Sequence, residues 1–511
     1  MSVKLTCSRT HEAFAIQSIM TFSPAHFGAV AGPTAFFAIL AFFHPEGLSP
    51  EGTAVLASTA WIAIWWITEA MPIAATALLP IVLFPLTGAL QLQATTTSYG
   101  HRYIFLYIGG FLLAIAIEKW GLHKRIALNI IHAIGTNVTS IILGFMIATA
   151  SLSMWISNTA TSVMMLPIGM AIIAQLRDNP ATEVNENRKF GKALMLGIAY
   201  SASIGGMATL VGTPPNLVLA GVVQGLYGIE ITFSQWISFG LPISLVLLAL
   251  CWFYLTRIAF SFDQKSFPGG RAEIKQQLKA FGSMSFEEKL VLVVFSLTAM
   301  AWISRSFLQK ELGWFPRLDD TIIAMIAGLI LFLLPTKKGK GTALLSWEDT
   351  KNLPWGIVLL FGGGMALAEG FKSSGLAAWV GGQMTLLEGI PLILLVLILV
   401  ASVNFLTEIT SNLATTSMLV PILAPMALAI NVHPFILLVS ATVASSCAFM
   451  LPVATPPNAV VFGSGYLRIP DMVRVGLWMN LISILLLSLF VYFLLPLVWG
   501  IDPGVFPASW K

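Results

Sequence analysis

The chain has 511 residues, of which 57% are hydrophobic and only 10% are charged, and its formal net charge is +4. Soluble globular domains carry about 25% charged residues. A chain of this length cannot bury so much apolar surface in a core of its own, so the composition excludes a soluble protein and predicts a membrane protein. Its three cysteines, Cys7, Cys251 and Cys447, lie far apart without CxxC spacing, which excludes a disulfide framework and a thiolate metal site.

The N-terminal segment 1–25 mixes polar and apolar residues and shows no separate basic region, apolar core and cleavage site. A secretory signal peptide has all three of these parts. We therefore expect residues 1–25 to form a short cytoplasmic tail that is not cleaved.

Most of the remaining chain consists of apolar runs, and a helix needs about 20 predominantly apolar residues to cross a membrane. The runs lie at 27–44, 52–72, 73–90, 103–122, 193–225, 235–256, 290–306, 321–335, 353–373, 434–465 and 475–497. Two further stretches, 139–175 and 388–430, are interrupted at their centres by polar clusters, which favours re-entrant hairpins. The predicted fold is an all-α polytopic membrane protein with about eleven transmembrane helices plus two re-entrant hairpins.

Lysine and arginine concentrate on one side of this arrangement, in the tail and in the loops at 123–125, 177–192, 257–289, 337–351 and 468–474. The exceptions on the other side are Arg102, Arg305, Lys310, Arg317, Lys372 and Lys511. Because cytoplasmic loops carry an excess of basic residues, the richer side is predicted to be cytoplasmic. Basic loops could also bind nucleic acid or anionic lipid. Their role in setting the orientation of the chain in the membrane already explains their charge, and we expect no nucleic-acid partner.

The most informative feature is an internal repeat at constant spacing. The segment 106–122 (LYIGGFLLAIAIEKWGL) resembles the segment 360–376 (LFGGGMALAEGFKSSGL), 254 residues further on. The same spacing relates the Ser-Asn dipeptides at 157–158 and 411–412. Random apolar sequence does not hold one spacing over such a length, so the two segments are copies of one unit.

The similarity resumes in the sequences GTPPN (212–216) and ATPPN (454–458), which are 242 residues apart. The polar insert 177–192 accounts for the shorter spacing, as expected of a surface loop. An odd number of predicted spans separates the copies, which gives them opposite orientations in the membrane. Inverted repeats are typical of secondary transporters, whose sites lie where broken helices meet; the alternative is an old duplication in a protein that does not transport.

Four polar clusters interrupt the apolar stretches, at 155–162, 211–216, 407–417 and 453–458. In hydrocarbon, irregular backbone persists only where protein or water covers it. The paired prolines lack N–H donors and end the preceding helices, so nearby carbonyls need another partner. Oxygens of Ser, Thr and Asn together with such carbonyls form a hard, neutral ligand set, which suits Na⁺ better than a divalent cation that recruits carboxylates.

The dipeptides at 157–158 and 411–412 are each predicted to begin the second arm of a hairpin. A helix N-terminus offers free N–H groups and a positive dipole end, so two facing termini would bind a dianion of about four carbons. The four clusters contain no lysine or arginine. We therefore expect two or more sodium ions to supply the positive charge and to bind interdependently with the anion. Helix capping is the alternative role of these polar residues.

At these residues the sequence resembles the divalent anion–sodium symporter family, which transports dicarboxylates and citrate. The family pattern places Ser-Asn-Thr at each hairpin tip and a small residue, Thr or Ser and two prolines in each later break. The resemblance extends from WWITEAMP (65–72) to the last helix. It implies a homodimer with an elevator mechanism, in which scaffold helices and arms occupy 26–135 and 235–373, and transport-domain hairpins and broken helices occupy 139–225 and 388–497.

The resemblance also implies the residues of the site, with sodium as the coupling ion and no organic cofactor. Two sodium sites are implied, one formed by Ser153, Ser157, Asn158 and the Gly212 carbonyl, and one by Thr407, Thr410, Asn412 and the Ala454 carbonyl. The implied substrate contacts come from both repeats: Ser157, Asn158, Thr159, Thr213, Ser411, Asn412, Leu413, Thr455 and Pro456.

One residue departs from the family pattern, because Leu413 replaces the threonine of the second motif. The backbone N–H stays available to an anion, whereas a hydroxyl contact is lost. The substrate class is unchanged by this, but the choice among related anions becomes open. Glu408, beside the second hairpin tip, is expected to disfavour more highly charged anions.

The leading prediction is sodium-coupled symport of C4-dicarboxylates such as succinate, malate or fumarate across a bacterial inner membrane. Sodium-independent exchange of dicarboxylates or 2-oxoglutarate, and transport of citrate or sulfate, remain open. An intramembrane transferase would need a nucleophile or base constellation, and the polar clusters contain no histidine. We therefore predict that the protein is not an enzyme. The sequence contains no P-loop for ATP, which argues against direct ATP drive. An ion channel conflicts with hairpins that close the membrane from both sides.

Overall fold

The computed structural model describes residues 24–135, 137–177, 184–262, 270–337, 342–383 and 389–510. In these residues the regular secondary structure is helical and no β-strand occurs, so the all-α prediction is confirmed. Most of the predicted tail at 1–25 lies outside the described residues.

The helices are numbered in chain order. The first half of the described chain contains α1 (Pro24–Phe42), α2 (Pro50–Thr68), α3 (Ile73–Thr76), α4 (Leu79–Thr87), α5 (Leu92–Thr97), α6 (Arg102–Lys119), α7 (Leu122–Ile134), α8 (Val138–Ser153), α9 (Asn158–Arg177), α10 (Val184–Gly206), α11 (Pro214–Tyr227) and α12 (Phe233–Phe253). The second half contains α13 (Gly270–Ala280), α14 (Phe286–Leu312), α15 (Asp320–Leu331), α16 (Trp355–Ser373), α17 (Leu376–Gln383), α18 (Leu392–Leu406), α19 (Asn412–Ala429), α20 (Pro434–Ser445), α21 (Pro456–Phe462), α22 (Ile469–Leu489) and α23 (Leu495–Trp499).

Within the described residues, six helical segments are long and apolar enough to cross a membrane, and five shorter apolar helices accompany them. One of the shorter segments, Ile73–Thr87, corresponds to the predicted span 73–90 and is interrupted after Thr76, so it consists of α3 and α4. Pro80 lacks the N–H that would bond to the Thr76 carbonyl in a continuous helix. The total of eleven spans therefore stays a prediction.

Both re-entrant hairpins have the predicted form of two helical arms joined by a short turn. The first turns at 154–157 between α8 and α9, and the second turns at 407–411 between α18 and α19. The second arms begin at Asn158 and Asn412, as the repeat predicts. The first arm of each hairpin packs on the broken helix of its own repeat, α8 on α10 and α18 on α20.

The two broken helices stop and restart at equivalent places. The helix α10 ends at Gly206 and the chain becomes helical again at Pro214, while α20 ends at Ser445 and the chain becomes helical again at Pro456. Proline suits the first turn of a helix, where its missing N–H would have no partner. The Pro-Pro pairs therefore set where each second half-helix begins.

An asparagine in each second half-helix stabilises the break before it. The Asn216 side-chain amide donates to the carbonyl of Thr209 at 2.8 Å, and that of Asn458 donates to the carbonyl of Leu451 at 3.0 Å. The two donors and the two acceptors are related by the spacing that separates GTPPN from ATPPN, so the bond is the same in the two repeats. Buried carbonyls left free by a break need such partners.

The structure extends the repeat to the helices that precede it. The indole N–H of Trp66 donates to the carbonyl of Ile73 at 3.2 Å, and that of Trp302 donates to the carbonyl of Asp320 at 3.0 Å. In each copy the acceptor is the first residue of the next helix. Thus α2 and α14 are equivalent, and the two tryptophans occupy corresponding positions.

Two of the basic residues that break the charge pattern are neutralised by acids. Arg305, 4% exposed, pairs with Glu230 at 2.8 Å and with Asp320 at 3.1 Å. Arg102 lies 3.6 Å from Glu230 and 3.8 Å from Asp319. These arginines serve an ion-pair network between helix ends, so their position on the poorer side does not weaken the topology prediction.

Candidate functional site

One cavity of about 930 Å³ lies where the two hairpin tips meet the two helix breaks. It brings together predicted residues of both repeats: Ser157, Asn158, Thr159, Gly212, Thr213, Thr410, Ser411, Asn412, Leu413, Ala454, Thr455 and Pro456. Ser153 and Thr407 lie behind this wall, are fully buried and are each hydrogen-bonded to the asparagine of their own hairpin. The predicted site residues therefore converge on one place.

Four helix N-termini contribute to the cavity wall. The first residues of α9, α11, α19 and α21 all line it. In α9 and α19 the first N–H groups lack partners within the helix, whereas α11 and α21 begin with two prolines that have no N–H. All four N-termini carry the positive end of a helix dipole. Among the described residues that line the cavity, Glu69 is the one charged side chain and none is basic. An anion would therefore be held by amides and hydroxyls.

Behind the first hairpin tip, three oxygen atoms crowd together. The hydroxyl oxygen of Ser153 lies 2.6 Å from the side-chain oxygen of Asn158 and 2.7 Å from the carbonyl oxygen of Ala202. A serine hydroxyl has one hydrogen to donate. Only one of the two contacts can be a hydrogen bond at any moment. In the other contact, the lone pairs of the hydroxyl oxygen and of the second acceptor oxygen repel each other.

The second hairpin repeats this arrangement. The hydroxyl oxygen of Thr407 lies 2.7 Å from the side-chain oxygen of Asn412 and 2.9 Å from the carbonyl oxygen of Ser445. Again a single hydroxyl hydrogen serves two acceptors. We call the two groups the oxygen clusters. A small monovalent cation would relieve the repulsion in each of them, so their composition fits sodium.

The predicted backbone ligands belong to residues that line the same cavity. Gly212 and Ala454 both line the cavity at the ends of the two breaks, immediately before the Thr-Pro-Pro sequences. The prolines that follow Gly212 and Ala454 have no N–H. These prolines therefore cannot donate a local hydrogen bond to the Gly212 and Ala454 carbonyls. Both carbonyls are consistent with the predicted ion sites.

Thr410 is placed differently from what a side-chain ligand requires. Its hydroxyl lies 2.9 Å from the carbonyl oxygen of Leu406 and 2.6 Å from the hydroxyl of Thr415. These contacts hold the hydroxyl within the hairpin turn. If Thr410 contributes to the second ion site, its backbone carbonyl is the available group.

The position that departs from the family motif also differs in exposure. Thr159, which begins the first copy's hairpin arm with Asn158, is exposed to the cavity, whereas Leu413 is only 6% exposed. At this position the first hairpin tip therefore presents an exposed hydroxyl to the cavity, and the second presents a mostly buried apolar side chain. The two ends of the cavity are chemically unequal although the backbone is repeated.

Sequence reasoning missed the carbonyls of Ala202 and Ser445, which complete the oxygen clusters. The expectation that Glu408 disfavours more highly charged anions stays a prediction; Glu408 is 3% exposed and its carboxylate accepts hydrogen bonds from the backbone of residues 449–451. Neither carbonyl lies in a motif, and the contacts depend on how separate helices pack. Ala202 and Ser445 are separated by nearly the same spacing as GTPPN and ATPPN, and this is the signal that could have indicated them.

Inverted repeats, paired hairpins and half-helices that meet at a polar cavity are the architecture of secondary transporters. Residues 26–499 match the family model described as the sodium:sulfate symporter transmembrane region, and the chain belongs to this family. It is a transporter family, and the prediction that the protein is not an enzyme is confirmed.

Two relatives illustrate the similarity. The sodium-dependent dicarboxylate transporter SdcS of Staphylococcus saprophyticus is 49% identical over 478 residues, which cover 93% of this chain and 92% of that protein. The protein of the same name from Staphylococcus aureus (strain bovine RF122 / ET3-1) is 48% identical over 478 residues, with the same coverage. The chain therefore matches these relatives over nearly their whole length.

Two solved structures share the fold at low sequence identity. The YdaH transporter of Alcanivorax borkumensis superposes with a TM-score of 0.56 at 13% identity, covering 88% of this chain and 100% of that one. MtrF of Neisseria gonorrhoeae superposes with a TM-score of 0.55 at 13% identity, covering 95% and 98%. These likenesses support the polytopic inverted-repeat fold.

Proposed function

We propose that this protein is a secondary active transporter that carries C4-dicarboxylates such as succinate, malate and fumarate in symport with sodium ions. The observation that carries the proposal is the pair of oxygen clusters directly behind a cavity walled by helix N-termini. Cation sites thus adjoin an anion site. The relatives named as sodium-dependent dicarboxylate transporters support this assignment, because they match 93% of the chain.

The sodium ligands proposed for each site are the oxygens that surround the clusters. The first site uses Ser153, Ser157, Asn158 and the Gly212 carbonyl, and the second uses Thr407, Asn412, the Ala454 carbonyl and the backbone of Thr410. Ala202 and Ser445 accept the hydroxyl hydrogens and so turn the hydroxyl lone pairs towards the ions. Two bound cations then offset the charge of a dianion, because Coulomb attraction is strong in a site shielded from water.

The substrate is proposed to lie between the two hairpin tips, with one carboxylate at each. The contacts from the first repeat are Ser157, Asn158, Thr159 and Thr213. Those from the second are Ser411, Asn412, the backbone N–H of Leu413, Thr455 and Pro456. Each asparagine contributes to an ion site and to the substrate site, and this sharing couples the two binding events.

The proposed setting is the plasma membrane of a bacterium, with a cytoplasmic N-terminus and a homodimeric assembly. The distribution of basic loops supports the orientation, and the bacterial origin of the relatives supports the membrane. The proposed elevator movement carries both hairpins and broken helices, at 139–225 and 388–497, past the scaffold at 26–135 and 235–373.

An aromatic stack supports a conformation in which the first hairpin tip is docked on the proposed scaffold. Trp155, at the first hairpin tip, stacks on Phe233 with ring centroids 5.8 Å apart, and Phe233 stacks on Trp302 of α14 at 5.0 Å. The counterpart of Trp155 in the second hairpin is Ile409, which is 65% exposed and lines the cavity. One hairpin tip is therefore packed on the proposed scaffold and the other is not.

In a protein of inverted repeats, the two halves exchange conformations between the two access states. Ile409 would then pack near Trp66, the counterpart of Trp302, when Trp155 leaves its stack. Since each aromatic pair contributes about 0.5–1.5 kcal/mol, Trp155→Ala is expected to shift the population towards the opposite state by roughly tenfold. The cavity that Ile409 lines also includes Pro354 and Gly356, which follow the predicted cytoplasmic loop 337–351. The readout is therefore the reactivity of an Ile409→Cys thiol towards a membrane-impermeant reagent added from the cytoplasmic side.

This reactivity is measured in a chain whose native cysteines are replaced by alanine. We expect a decrease of about tenfold in the Trp155→Ala background. Phe307→Ala is the matched control, because Phe307 lies on the same helix α14 and is 60% exposed. Unchanged reactivity in the Trp155→Ala background would show that the stack does not hold this state.

The function itself is tested with purified protein in proteoliposomes. Uptake of radiolabelled succinate is compared under an inward sodium gradient and with choline in place of sodium. Symport predicts accumulation with sodium alone. Sodium-independent uptake that requires internal dicarboxylate would make the protein an exchanger instead.

Competition in the same assay separates the remaining candidate substrates. The description of the family model names sulfate, and the sequence leaves citrate and 2-oxoglutarate open because of Leu413. Succinate, malate and fumarate are expected to compete with the label at similar concentrations, since all three carry two carboxylates on a four-carbon chain. Stronger inhibition by citrate or sulfate than by unlabelled succinate would reassign the substrate.

A further inference from the structure

Glu408 is a buried carboxylate held by amides. It is 3% exposed and lies in the turn of the second hairpin. It accepts hydrogen bonds from the backbone N–H groups of Phe449 at 2.8 Å, Met450 at 2.9 Å and Leu451 at 3.0 Å, and from the side chain of Asn480 at 2.7 Å. The ion pairs found among the described residues do not include it, so its charge faces dipoles and not a lysine or arginine.

The helix α22 holds the same backbone from the other side. The side-chain oxygen of Asn480 accepts from the N–H of Phe449 at 3.2 Å. A Cβ at Gly476 would collide with the carbonyl oxygen of Phe449 and would lie 2.6 Å from the Cα of Met450, so only glycine allows this approach. The second break is thus clamped between the hairpin turn and α22.

The clamp leads directly to the proposed second ion site. Thr407, whose hydroxyl belongs to the second oxygen cluster, is the residue before Glu408. Leu451, bonded to Glu408 through its N–H, also accepts from Asn458 through its carbonyl. Ala454 lies between these two anchored residues, so the clamp determines where the Ala454 carbonyl points.

The first repeat lacks this clamp. The counterpart of Glu408 is Met154, at the spacing that relates the two Ser-Asn dipeptides, and the counterpart of Asn480 is Ser244 of α12, at the spacing that relates Trp302 to Trp66. Met154 offers its carbonyl to the hydroxyl of Thr209 at 2.5 Å, and the buried Ser244 hydroxyl has no hydrogen-bond partner among the described residues. A Glu–Asn pair in one repeat corresponds to a Met–Ser pair in the other.

We propose that Glu408 is a positioning residue that makes the second sodium site bind its ion more tightly than the first. The proposal rests on the proposed sodium-coupled function. Glu408 fixes the backbone that presents the Ala454 carbonyl, and it adds a negative charge to the hairpin turn that also contains Thr407, in a region of low dielectric where a nearby cation is strongly favoured. A buried carboxylate inside a membrane is costly and is retained where it serves function. Its presence in one repeat alone therefore suggests a role that the first repeat does not need.

The test is equilibrium binding of radioactive sodium to the purified full-length protein, without substrate. The wild-type protein is expected to show a tight and a weak component. Glu408→Gln should weaken the tight component by about tenfold or more. The substitution removes the negative charge from the hydrogen-bond network, and the NH₂ group of the glutamine faces backbone N–H donors. The matched control is Met154→Gln, which puts the same side chain at the equivalent position of the first repeat and should leave the tight component unchanged.

The double variant Glu408→Gln/Asn480→Asp distinguishes an effect of the buried negative charge from an effect of side-chain packing alone. It moves the carboxylate from position 408 to position 480, so the pair still consists of one amide that can donate and one carboxylate that accepts. We expect its tight component to return to within about threefold of the wild type. A tight component that is unaffected by Glu408→Gln, or that the double variant does not restore, would overturn the proposal. If Glu408→Gln cannot be purified in folded form, a double variant with only weak sodium binding has the same meaning.

Failure of the underlying function has a different signature. If the wild-type protein binds no sodium at all, sodium coupling is wrong, and Glu408 has no ion site to position. If wild-type uptake is sodium-dependent while Glu408→Gln keeps the wild-type sodium affinity, sodium coupling stands and the role of Glu408 falls. The two results are therefore distinguishable in one set of samples.

Discussion

Replacing Asn158 or Asn412 by alanine is expected to reduce sodium-driven succinate uptake at least about 100-fold. Each asparagine is proposed to contact an ion and the substrate, and hydrogen bonds to charged groups contribute about 1.5–3 kcal/mol each. Losing two such contacts exceeds the effect of any other single substitution in the cavity. Initial rates of uptake into proteoliposomes measure it, with the amount of inserted protein determined in parallel.

Asn129→Ala is the control for these variants. Asn129 is exposed on α7 and its side chain donates to the carbonyl of Arg125 at 2.8 Å, outside the site. Its uptake should remain within about twofold of the wild type, as for most surface substitutions. Near-normal uptake in either Asn158→Ala or Asn412→Ala would show that the paired hairpin tips are not the binding site.

Thr407→Val is expected to raise the sodium concentration for half-maximal uptake by about tenfold or more, because it removes the hydroxyl from the second oxygen cluster while nearly preserving side-chain volume. The remaining oxygens of Asn412 and Ser445 would then lack the hydroxyl that lies between them at 2.7 and 2.9 Å. The succinate concentration for half-maximal uptake should change much less when sodium is saturating. Sodium titrations at fixed succinate, and the reverse, separate the two effects.

Thr410→Val is the matched control, since it makes the same substitution within the same hairpin turn. The hydroxyl of Thr410 is engaged with Leu406 and Thr415, so its loss should alter sodium dependence by less than about threefold. An equal or larger effect in Thr410→Val would mean that this hydroxyl turns towards the ion and that the arrangement of the second site must be revised. A combined Ser153→Ala/Thr407→Val variant, which impairs both proposed ion sites, should lose sodium-driven uptake in the same assay.

Much of the site could be predicted because its signals are local. A proline lacks an N–H whatever surrounds it, so the Thr-Pro-Pro sequences that begin at Thr213 and Thr455 indicate where each second half-helix begins. Ser-Asn in the middle of an apolar stretch likewise indicates where a hairpin turns. The internal repeat then pairs these signals and gives the two halves opposite orientations, with no structure needed.

Other features depend on which segments pack together, and local signals do not report that. The carbonyls of Ala202 and Ser445 join the oxygen clusters only because α10 and α20 pack against the first arms of the hairpins. The carboxylate of Glu408 lies in the same turn as Thr407, yet it points into the break of another helix, because three unsatisfied N–H groups and Asn480 are placed there.

By itself, the sequence determined that the protein is an all-helical membrane protein with two inverted copies of a hairpin and a broken helix. Missing N–H donors and polar residues in apolar runs act within one turn of their own position, so these elements are readable from the chain. Only the tertiary structure decided which oxygens face each other, which hairpin tip packs in an aromatic stack, and that one repeat carries a buried carboxylate clamp. Those outcomes arise from contacts between residues far apart in the chain, where packing and the need to satisfy buried polar groups select the partner.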